Sequence, residues 1–201
     1  MKNFITTLKR SVIIFVILAV ITGIIYPAVV TAISQLLFNE KANGSIIEID
    51  GKKYGSQLLG QQYNDEKHMW GRIVNLDLES FTDEDGNILM YGKPSNLSVE
   101  SQQYQQLVQQ RIDMIRQANP DMDETKIPVE LITCSASGVD PDISYSAAIY
   151  QVKRIAENNN MTEQEVLDII DKCKTEKLLG IFGQETVNVL KVNLMLEGIL
   201  Q

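Results

Sequence analysis

The pattern of apolar and polar residues divides the chain into one long apolar stretch and a longer segment of mixed character. Residues 12–38 are almost entirely apolar. At about 1.5 Å per helical residue they reach about 40 Å, enough to cross a bilayer core of about 30 Å. No later stretch matches this length. The pattern therefore predicts a single transmembrane helix over 12–38, after a short N-terminus (1–11) and before one soluble domain (39–201).

A cleaved signal peptide is the alternative interpretation of the same stretch. Val30-Thr31-Ala32 has the small residues of a cleavage site. The apolar core of a signal peptide is only about 7–15 residues long, however. The greater length here favours a helix that stays in the membrane as an anchor.

Charge predicts the orientation of the chain and excludes one class of partner. Lys2, Lys9 and Arg10 precede the apolar stretch, whereas Lys41 beside Glu40 follows it. The positive-inside rule then places the N-terminus in the cytoplasm and the soluble domain outside the cytoplasm. The net charge is −8, and the first 38 residues contribute +3, so the remainder carries −11. A domain this acidic is a poor binder of nucleic acid.

Turn signals in the first half of the soluble domain predict short strands. Residues 45–59 fit a β-hairpin around Asp50-Gly51, a dipeptide that favours a two-residue turn. A second turn at Asp83-Glu84-Asp85-Gly86 precedes a short apolar piece, 88–91. Farther along, 129–134 follows Pro128 and is predicted as a short buried strand.

Helical periodicity dominates the second half. Apolar residues at helical spacing predict a helix from near Ser98 to just before Asn119-Pro120. A second helix is predicted to be capped by Ser144 and to end at 158–160. A third begins at Thr162, where Thr162 and Glu165 form a capping box. Residues 187–200 fit a strand or a helix. The expected fold class is α+β, with one N-terminal transmembrane helix and a single mixed α/β domain.

Most of the residues that could carry chemistry lack the partners that the chemistry needs. His68 is the only histidine, whereas triads and zinc sites need a histidine with several positioned partners. Asp121 to Glu124 lack the glycine and distal glutamate of a calcium loop. Cys134 and Cys173 could pair outside the cell, but their apolar surroundings favour buried free thiols. We therefore expect no catalytic residues and no metal site.

The loop 135–144 is the remaining candidate. It has no G-x-S-x-G motif, which argues against a serine nucleophile. A loop with serine and glycine before a helix can cradle phosphate through its N–H groups, but Asp140 and Asp142 would repel phosphate here. A rigid turn capped by its own side chains is the alternative. The residues thus favour an accessory subunit or binding module over an enzyme.

Several segments, in order along nearly the whole chain, resemble one family, the C subunit of the high-affinity, ATP-driven bacterial potassium transporter (the Kdp complex). The matching segments are Tyr26-Pro27 with 42–45, Gly55-Ser56 with 59–61, Trp70-Gly71-Arg72, 137–144, 147–156 and 187–194. Any one of them is a weak signal, but the ordered set is specific.

The resemblance implies a non-catalytic subunit of a P-type ATP-driven potassium importer in the cell membrane, without a cofactor of its own. Its partners would be a channel-like potassium-binding subunit, an ATP-hydrolysing subunit and a small accessory subunit, which handle K⁺ and ATP. The family is associated with assembly of the complex and with a catalytic-chaperone role, raising the ATP affinity of the ATPase subunit. Candidate nucleotide or partner contacts are Ser135, Ser137, Gly138, Asp140, Ser144, Gln151 and Arg154.

The implied nucleotide role conflicts with the predicted orientation, because a domain outside the cell cannot touch cytosolic ATP. We therefore favour assembly and stabilisation from outside. Two alternatives remain. One is a self-contained, membrane-anchored extracellular domain that binds or hydrolyses a ligand through His68 or Ser137. The other is a nucleotide-binding regulator that uses 135–144 and requires cytosolic exposure.

Overall fold

The N-terminal apolar stretch is helical throughout in the computed structural model, which describes residues 2–122 and 126–201. It consists of α1 (Lys2–Val20), a π-helical turn (Ile21–Ile25) and α2 (Tyr26–Leu37). Within the described residues, Phe4–Leu37 is the one helix long and apolar enough to cross a membrane. The predicted span, 12–38, lies within the helical segment except for Phe38, and that segment begins at Lys2, ten residues before position 12.

The π-helical turn lies directly before the Tyr26-Pro27 pair. Proline has no N–H to donate to the carbonyl four residues earlier, and its ring collides with that carbonyl in a regular α-helix. The carbonyl in question belongs to Gly23, inside the wider turn. The widened turn therefore absorbs the proline without ending the helix. A short helix, α3 (Asn39–Ala42), follows, and residues 1–46 form one of two compact units.

The second unit, residues 47–201, is a domain of mixed helices and strands. The predicted hairpin is present: β1 (Ile46–Ile49) pairs with β2 (Lys52–Ser56). Asp50 and Gly51 have φ values of +52° and +75°, as a two-residue turn requires. A second hairpin, formed by β3 (Leu76–Asp77) and β4 (Tyr91–Gly92), closes through the acidic turn at 83–86.

Helix α4 (Gln102–Ala118) has Ser101 as its N-cap, three residues after the predicted start near Ser98, and ends before Asn119, as predicted. A 3₁₀ turn (Pro120–Met122) follows. Of the acidic residues considered as a calcium loop, Asp123 and Glu124 lie outside the described residues.

The strand predicted over 129–134 is wrong. Val129–Ile132 forms a one-turn helix, α5, and the chain then extends so that Cys134 makes a single parallel bridge to Ile73. Pro128 is the N-cap residue of this turn, and four residues are too few to show helical spacing in the sequence.

The predicted helix after Ser144 is present but divided in two. β5 (Asp142–Ser144) leads into α6 (Tyr145–Ile149), and α7 (Val152–Asn159) follows a turn at 150–151. Ser144 accepts a hydrogen bond from the Ala147 N–H as the N-cap, and Asn160 ends α7 with φ +55°. α8 (Glu163–Lys172) carries the predicted capping box between Thr162 and Glu165.

A three-stranded antiparallel sheet completes the domain. Its strand order is β5, then β7 (Thr186–Asn188), then β6 (Lys174–Thr175). The chain then continues from β7 into α9 (Val189–Leu196), which Asn188 caps. The segment that the sequence left undecided is thus a strand followed by a helix, and the fold is α+β as predicted. The core includes Met69, Trp70, Ile115, Leu131, Ile143, Ile155, Val166, Ile170, Val187 and Val192.

Candidate functional site

The loop 135–144, which joins α5 to β5, uses its serine hydroxyls to hold its own shape. Ser135 Oγ lies 3.1 Å from Ser137 Oγ and accepts a hydrogen bond of 3.3 Å from the Asp140 N–H. Ser137 Oγ accepts a hydrogen bond of 3.2 Å from the Val139 N–H. These are the local bonds of a serine turn. The two hydroxyls therefore stabilise the loop.

Gly138 packs against the backbone of the β3–β4 hairpin. A Cβ atom at this position would lie 2.3 Å from the carbonyl oxygen of Lys93 and 2.5 Å from that of Asn75. The residue has φ +74°, and its own carbonyl accepts a hydrogen bond of 2.8 Å from the Asn75 N–H. Only glycine combines this conformation with this close approach.

Gly60 and Gly92 pack equally closely against the same loop. A Cβ atom on Gly60 would lie 2.5 Å from the Asp140 carbonyl oxygen, and one on Gly92 would lie 2.5 Å from the Ser137 carbonyl oxygen. The Gly60 N–H also donates to the Val139 carbonyl at 2.8 Å. The loop is therefore fixed by backbone contacts on two sides.

The N–H groups that a phosphate would need already have acceptors inside the protein. Asp142 donates its N–H to Asp140 Oδ1 at 3.1 Å, and Ser144 donates to Glu130 Oε2 at 3.0 Å. The loop N–H groups with internal acceptors are those of Gly138, Val139, Asp140, Asp142 and Ser144. A phosphate bound here would have to displace these acceptors.

A polar cavity of about 190 Å³ opens beside the loop. It is lined by Arg72, Glu130, Asp140, Asp142, Ile143, Ser144, Gln184 and Thr186. Arg72 Nε lies 3.3 Å from Asp140 Oδ2, and Arg72 Nη2 lies 4.0 Å from Glu130 Oε2. The Ser144 hydroxyl donates to the Glu130 carboxylate. Arg72 thus links the loop to α5.

The charge in this cavity suits a cationic or hydrogen-bond-donating group. Three carboxyl groups face one guanidinium group. Burial raises the pKa of Asp142, and the charge of Asp140 adds to this, whereas a hydrogen bond from Asn188 opposes it. An anion such as phosphate would meet a surplus of negative charge. Among the described residues no group of three or more His, Cys, Asp or Glu side chains is arranged to hold a metal ion.

Gln151 lies outside this cavity and binds the backbone of Trp70. Its side chain is 1% exposed. Its Oε1 accepts from the Trp70 N–H at 2.8 Å, and its Nε2 donates to the Trp70 carbonyl at 2.9 Å. Oε1 also accepts from Arg154 Nη2 at 2.8 Å, and Nε2 donates to the Ala147 carbonyl at 3.1 Å. All four hydrogen-bonding positions of the amide are therefore used inside the core.

Arg154 is also buried, and it holds the segment that precedes Trp70. Its Nη1 donates to the carbonyl oxygens of Glu66 at 2.5 Å and His68 at 2.9 Å. Its guanidinium carbon lies 4.6 Å from the centre of the Trp70 ring. Burial lowers the pKa of Arg154 to about 10, opposed by the charges of Asp65 and Glu66. The residue remains protonated at neutral pH.

Asn193 makes the same kind of contact to the neighbouring peptide. Its Oδ1 accepts from the Met69 N–H at 2.7 Å, and its Nδ2 donates to the Met69 carbonyl at 3.0 Å. Gln151, Arg154 and Asn193 thus hold residues 66–70, which contain no helix or strand and of which Met69 and Trp70 are buried in the core. We call these three side chains the polar clamp.

The single histidine joins two carboxylates. His68 Nδ1 lies 2.8 Å from Asp65 Oδ2, and His68 Nε2 lies 2.9 Å from Glu197 Oε1. The pKa of Asp65 is below its ordinary value: burial raises it, but the hydrogen bond and charge of His68 outweigh burial. The arrangement links residue 65 to the residue that follows α9.

The two cysteines are free thiols, as expected. Cys173 is buried, and its Sγ lies 3.5 Å from Met195 Sδ. Burial raises the pKa of the Cys173 thiol to about 11. Cys134 is half-buried.

The structure therefore divides the candidate residues into two groups. Ser135, Ser137, Gly138, Asp140 and Ser144 lie in the loop beside the polar cavity, whereas Gln151 and Arg154 belong to the polar clamp. Sequence reasoning missed Glu130 and Asn193. An asparagine among the apolar residues of 187–196 was a usable signal, because an isolated polar residue on a core-facing element needs a buried partner. Glu130 had no comparable signal.

Comparison with known proteins gives a consistent result. Residues 8–198 match the family model described as "KdpC: K+-transporting ATPase, c chain". A potassium-transporting ATPase KdpC subunit from Clostridium botulinum (strain Alaska E43 / Type E3) is 55% identical over 201 residues, covering 100% of both chains. The same-named protein of Clostridium perfringens is 53% identical over 194 residues, covering 96% of this chain and 98% of the relative. The one from Paraburkholderia xenovorans is 37% identical over 197 residues, covering 98% and 97%.

Proposed function

This chain belongs to the family of KdpC subunits, the c chains of K⁺-transporting ATPases, and we propose that it acts by holding the other subunits of that complex together. As a family member it is an accessory subunit of the potassium transporter and is not itself catalytic. The partners we propose are a channel-like potassium-binding subunit, an ATP-hydrolysing subunit and a small accessory subunit.

This proposal depends on one observation: the polar residues of the family motifs bind other parts of the same domain. Polar groups in three motif segments, those around Trp70, 135–144 and 147–156, form hydrogen bonds within the domain. The contacts of Gly138 and Gln151 are examples. Residues arranged for chemistry leave a nucleophile, base or oxyanion donor directed at a substrate position. Residues arranged in this way instead make a rigid body with a fixed surface, which is what a scaffold requires.

We also propose that the domain lies outside the cytoplasm with the N-terminus inside, as the basic residues before the span predict. In that orientation any effect on ATP affinity, the catalytic-chaperone role, passes through the transmembrane helix. Direct nucleotide contact at Ser135, Ser137, Gly138, Asp140 or Ser144 is the less favoured proposal, because the loop N–H groups already have acceptors and the neighbouring cavity is acidic.

A labelling experiment tests the orientation. In a chain whose two native cysteines are replaced by alanine, Met90→Cys and Lys9→Cys each supply one thiol. Met90 is 68% exposed. A membrane-impermeant maleimide should label the Met90→Cys chain in intact cells and the Lys9→Cys chain only after permeabilisation. The reverse pattern contradicts the proposed orientation and revives direct nucleotide binding.

Co-purification tests the scaffold role. A tagged full-length chain should bring a channel-like subunit and an ATP-hydrolysing subunit out of the membrane, and cells without the chain should fail to grow at low potassium. Replacing Phe4–Leu37 with an unrelated apolar helix should lower the recovery of both partners. Normal growth without the chain, or a substrate turned over by the chain alone, contradicts the proposal.

A further inference from the structure

The loop between β6 and β7 ends in four apolar side chains that point into solvent. Leu178, Leu179, Ile181 and Phe182 are 70%, 81%, 76% and 63% exposed. We define 178–182 as the apolar tip. Isolated exposed apolar residues are common on protein surfaces, but four in five residues at the closed end of a loop form a contiguous patch.

The apolar tip is an ordered turn. The Leu178 N–H donates to the Phe182 carbonyl at 2.8 Å, and the Phe182 N–H donates back to Leu178 at 3.0 Å. Gly180 and Leu179 have φ values of +74° and +55°. The left-handed conformation is unfavourable for leucine, and Leu179 adopts it with its apolar side chain exposed to solvent.

The polar surroundings of the tip differ from the rest of this acidic chain. Between positions 172 and 185, Lys172, Lys174 and Lys177 outnumber Glu176 and Glu185. Lys174 lies 3.6 Å from Glu176, which leaves Lys172 and Lys177 against Glu185, a net charge of +1 over this segment. Apolar side chains bordered by lysine are the combination that inserts into the headgroup region of a bilayer with anionic lipids.

The inference shares one premise with the proposed function, namely that Phe4–Leu37 spans the membrane. The soluble domain is then tethered close to a bilayer. Only residues 38–45 separate the end of α2 from β1. Eight residues extend at most about 28 Å, so the domain stays at the membrane surface on whichever side it lies.

The β3–β4 hairpin provides an internal comparison. Ile88 near its closed end is 60% exposed, close to the value for Phe182. The turn there is Asp83-Glu84-Asp85-Gly86, however, so its closed end would be repelled by anionic lipid. Apolar side chains are therefore similarly exposed at the closed ends of the two hairpins, but the charge of the neighbouring residues differs.

We infer that the apolar tip inserts into the headgroup region of the lipid bilayer and gives the soluble domain a second membrane contact besides its transmembrane helix. This contact would limit rotation of the domain about its tether. Lipid is a better match than a protein partner because the tip is small, convex and bordered by lysine.

Fluorescence quenching by brominated lipid tests this inference. The full-length chain is placed in nanodiscs of phosphatidylcholine and phosphatidylglycerol, with or without bromine on the acyl chains. Phe182→Trp adds one indole at the tip, and Ile88→Trp adds one at the acidic hairpin as the matched control. The native Trp70 is 3% exposed and supplies a constant background. Ile181→Trp repeats the measurement in case the change at Phe182 disturbs the turn.

The tip variants should lose most of their added emission in brominated lipid, and the Ile88→Trp chain should lose little. Equal emission from the tip variants in both lipids overturns the inference. If their emission instead shifts to the blue only when the partner subunits are present, the tip binds protein and the lipid assignment is wrong. Unquenched tip variants that still co-purify with partners would reject the lipid contact while leaving the scaffold role intact.

Discussion

Replacing Gln151 by alanine should destabilise the domain by about 4 kcal/mol. The substitution leaves the N–H and carbonyl of Trp70 buried without partners and removes an acceptor from Arg154. Each buried polar group left unsatisfied costs about 1–3 kcal/mol, which gives about 4 kcal/mol for the two groups of Trp70. Such a loss is a large part of the 5–15 kcal/mol typical of a folded domain. Gln151→Glu keeps both acceptor bonds but turns a carboxyl oxygen toward the carbonyls of Trp70 and Ala147 in the core, so its cost should be at least as large.

Urea unfolding of the full-length chain in detergent measures this cost. Trp70 is the only tryptophan and lies against Arg154, so its fluorescence reports directly on the region affected. Gln109→Ala is the matched control, because Gln109 makes an exposed hydrogen bond to Asp113 worth a few tenths of a kcal/mol. An unfolding free energy unchanged within about 1 kcal/mol in Gln151→Ala, with transport by the complex lost, would refute the reasoning and place Gln151 in a functional contact.

Three further outcomes can be measured. Gly138→Ala should lower the unfolding free energy by about 3 kcal/mol, because of left-handed strain and overpacking. The control Gly86→Ala, at a position with open space around it, should lower it by about 1 kcal/mol. Equal losses would contradict the close packing of the loop. Because the pKa of Asp65 is lowered, its stabilisation is present above its unfolded pKa and is lost as pH falls through the folded pKa. Asp65→Asn should therefore cost less than about 1 kcal/mol at pH 7 and nothing at acidic pH in urea titrations, because Asp65 itself is 55% exposed and solvent screens the pair. A cost independent of pH would show that the charge is irrelevant. The Cys173 thiol should resist iodoacetamide in the folded chain at pH 8 and react only on unfolding, as followed by mass spectrometry, because burial raises its pKa to about 11; rapid labelling of the native chain would contradict its burial.

The features that the sequence predicted correctly are those with local causes. Asp50-Gly51, the cap at Ser144, the end of α4 before Asn119-Pro120 and the capping box at Thr162 each depend on residues within a few positions of one another. The long apolar helix is predictable for the same reason, since its length and composition are properties of one contiguous stretch.

The features that it missed depend on residues distant in sequence. Met69 and Trp70 need no helix or strand partners, because Gln151, just before α7, and Asn193 in α9 supply their backbone hydrogen bonds across 81 and 124 positions. The loop 135–144 has the composition of a phosphate cradle. Its N–H groups donate instead to its own serines and to Glu130, and the position of Glu130 could not be predicted from the sequence. The error at Val129–Ile132 arose because a segment of four residues, three of them apolar, fits either period.

The π-helical turn at Ile21–Ile25 changes what the N-terminal helix can present to its surroundings. A π turn holds one more residue than an α turn, so every side chain from Tyr26 onward is offset by about 100° around the axis relative to an uninterrupted helix. A stripe of residues that follows one side of α1 therefore continues on a different side of α2. The helix thus offers two neighbours two differently directed seams, one in each half of its length, which a regular single-pass anchor of the same composition would not do.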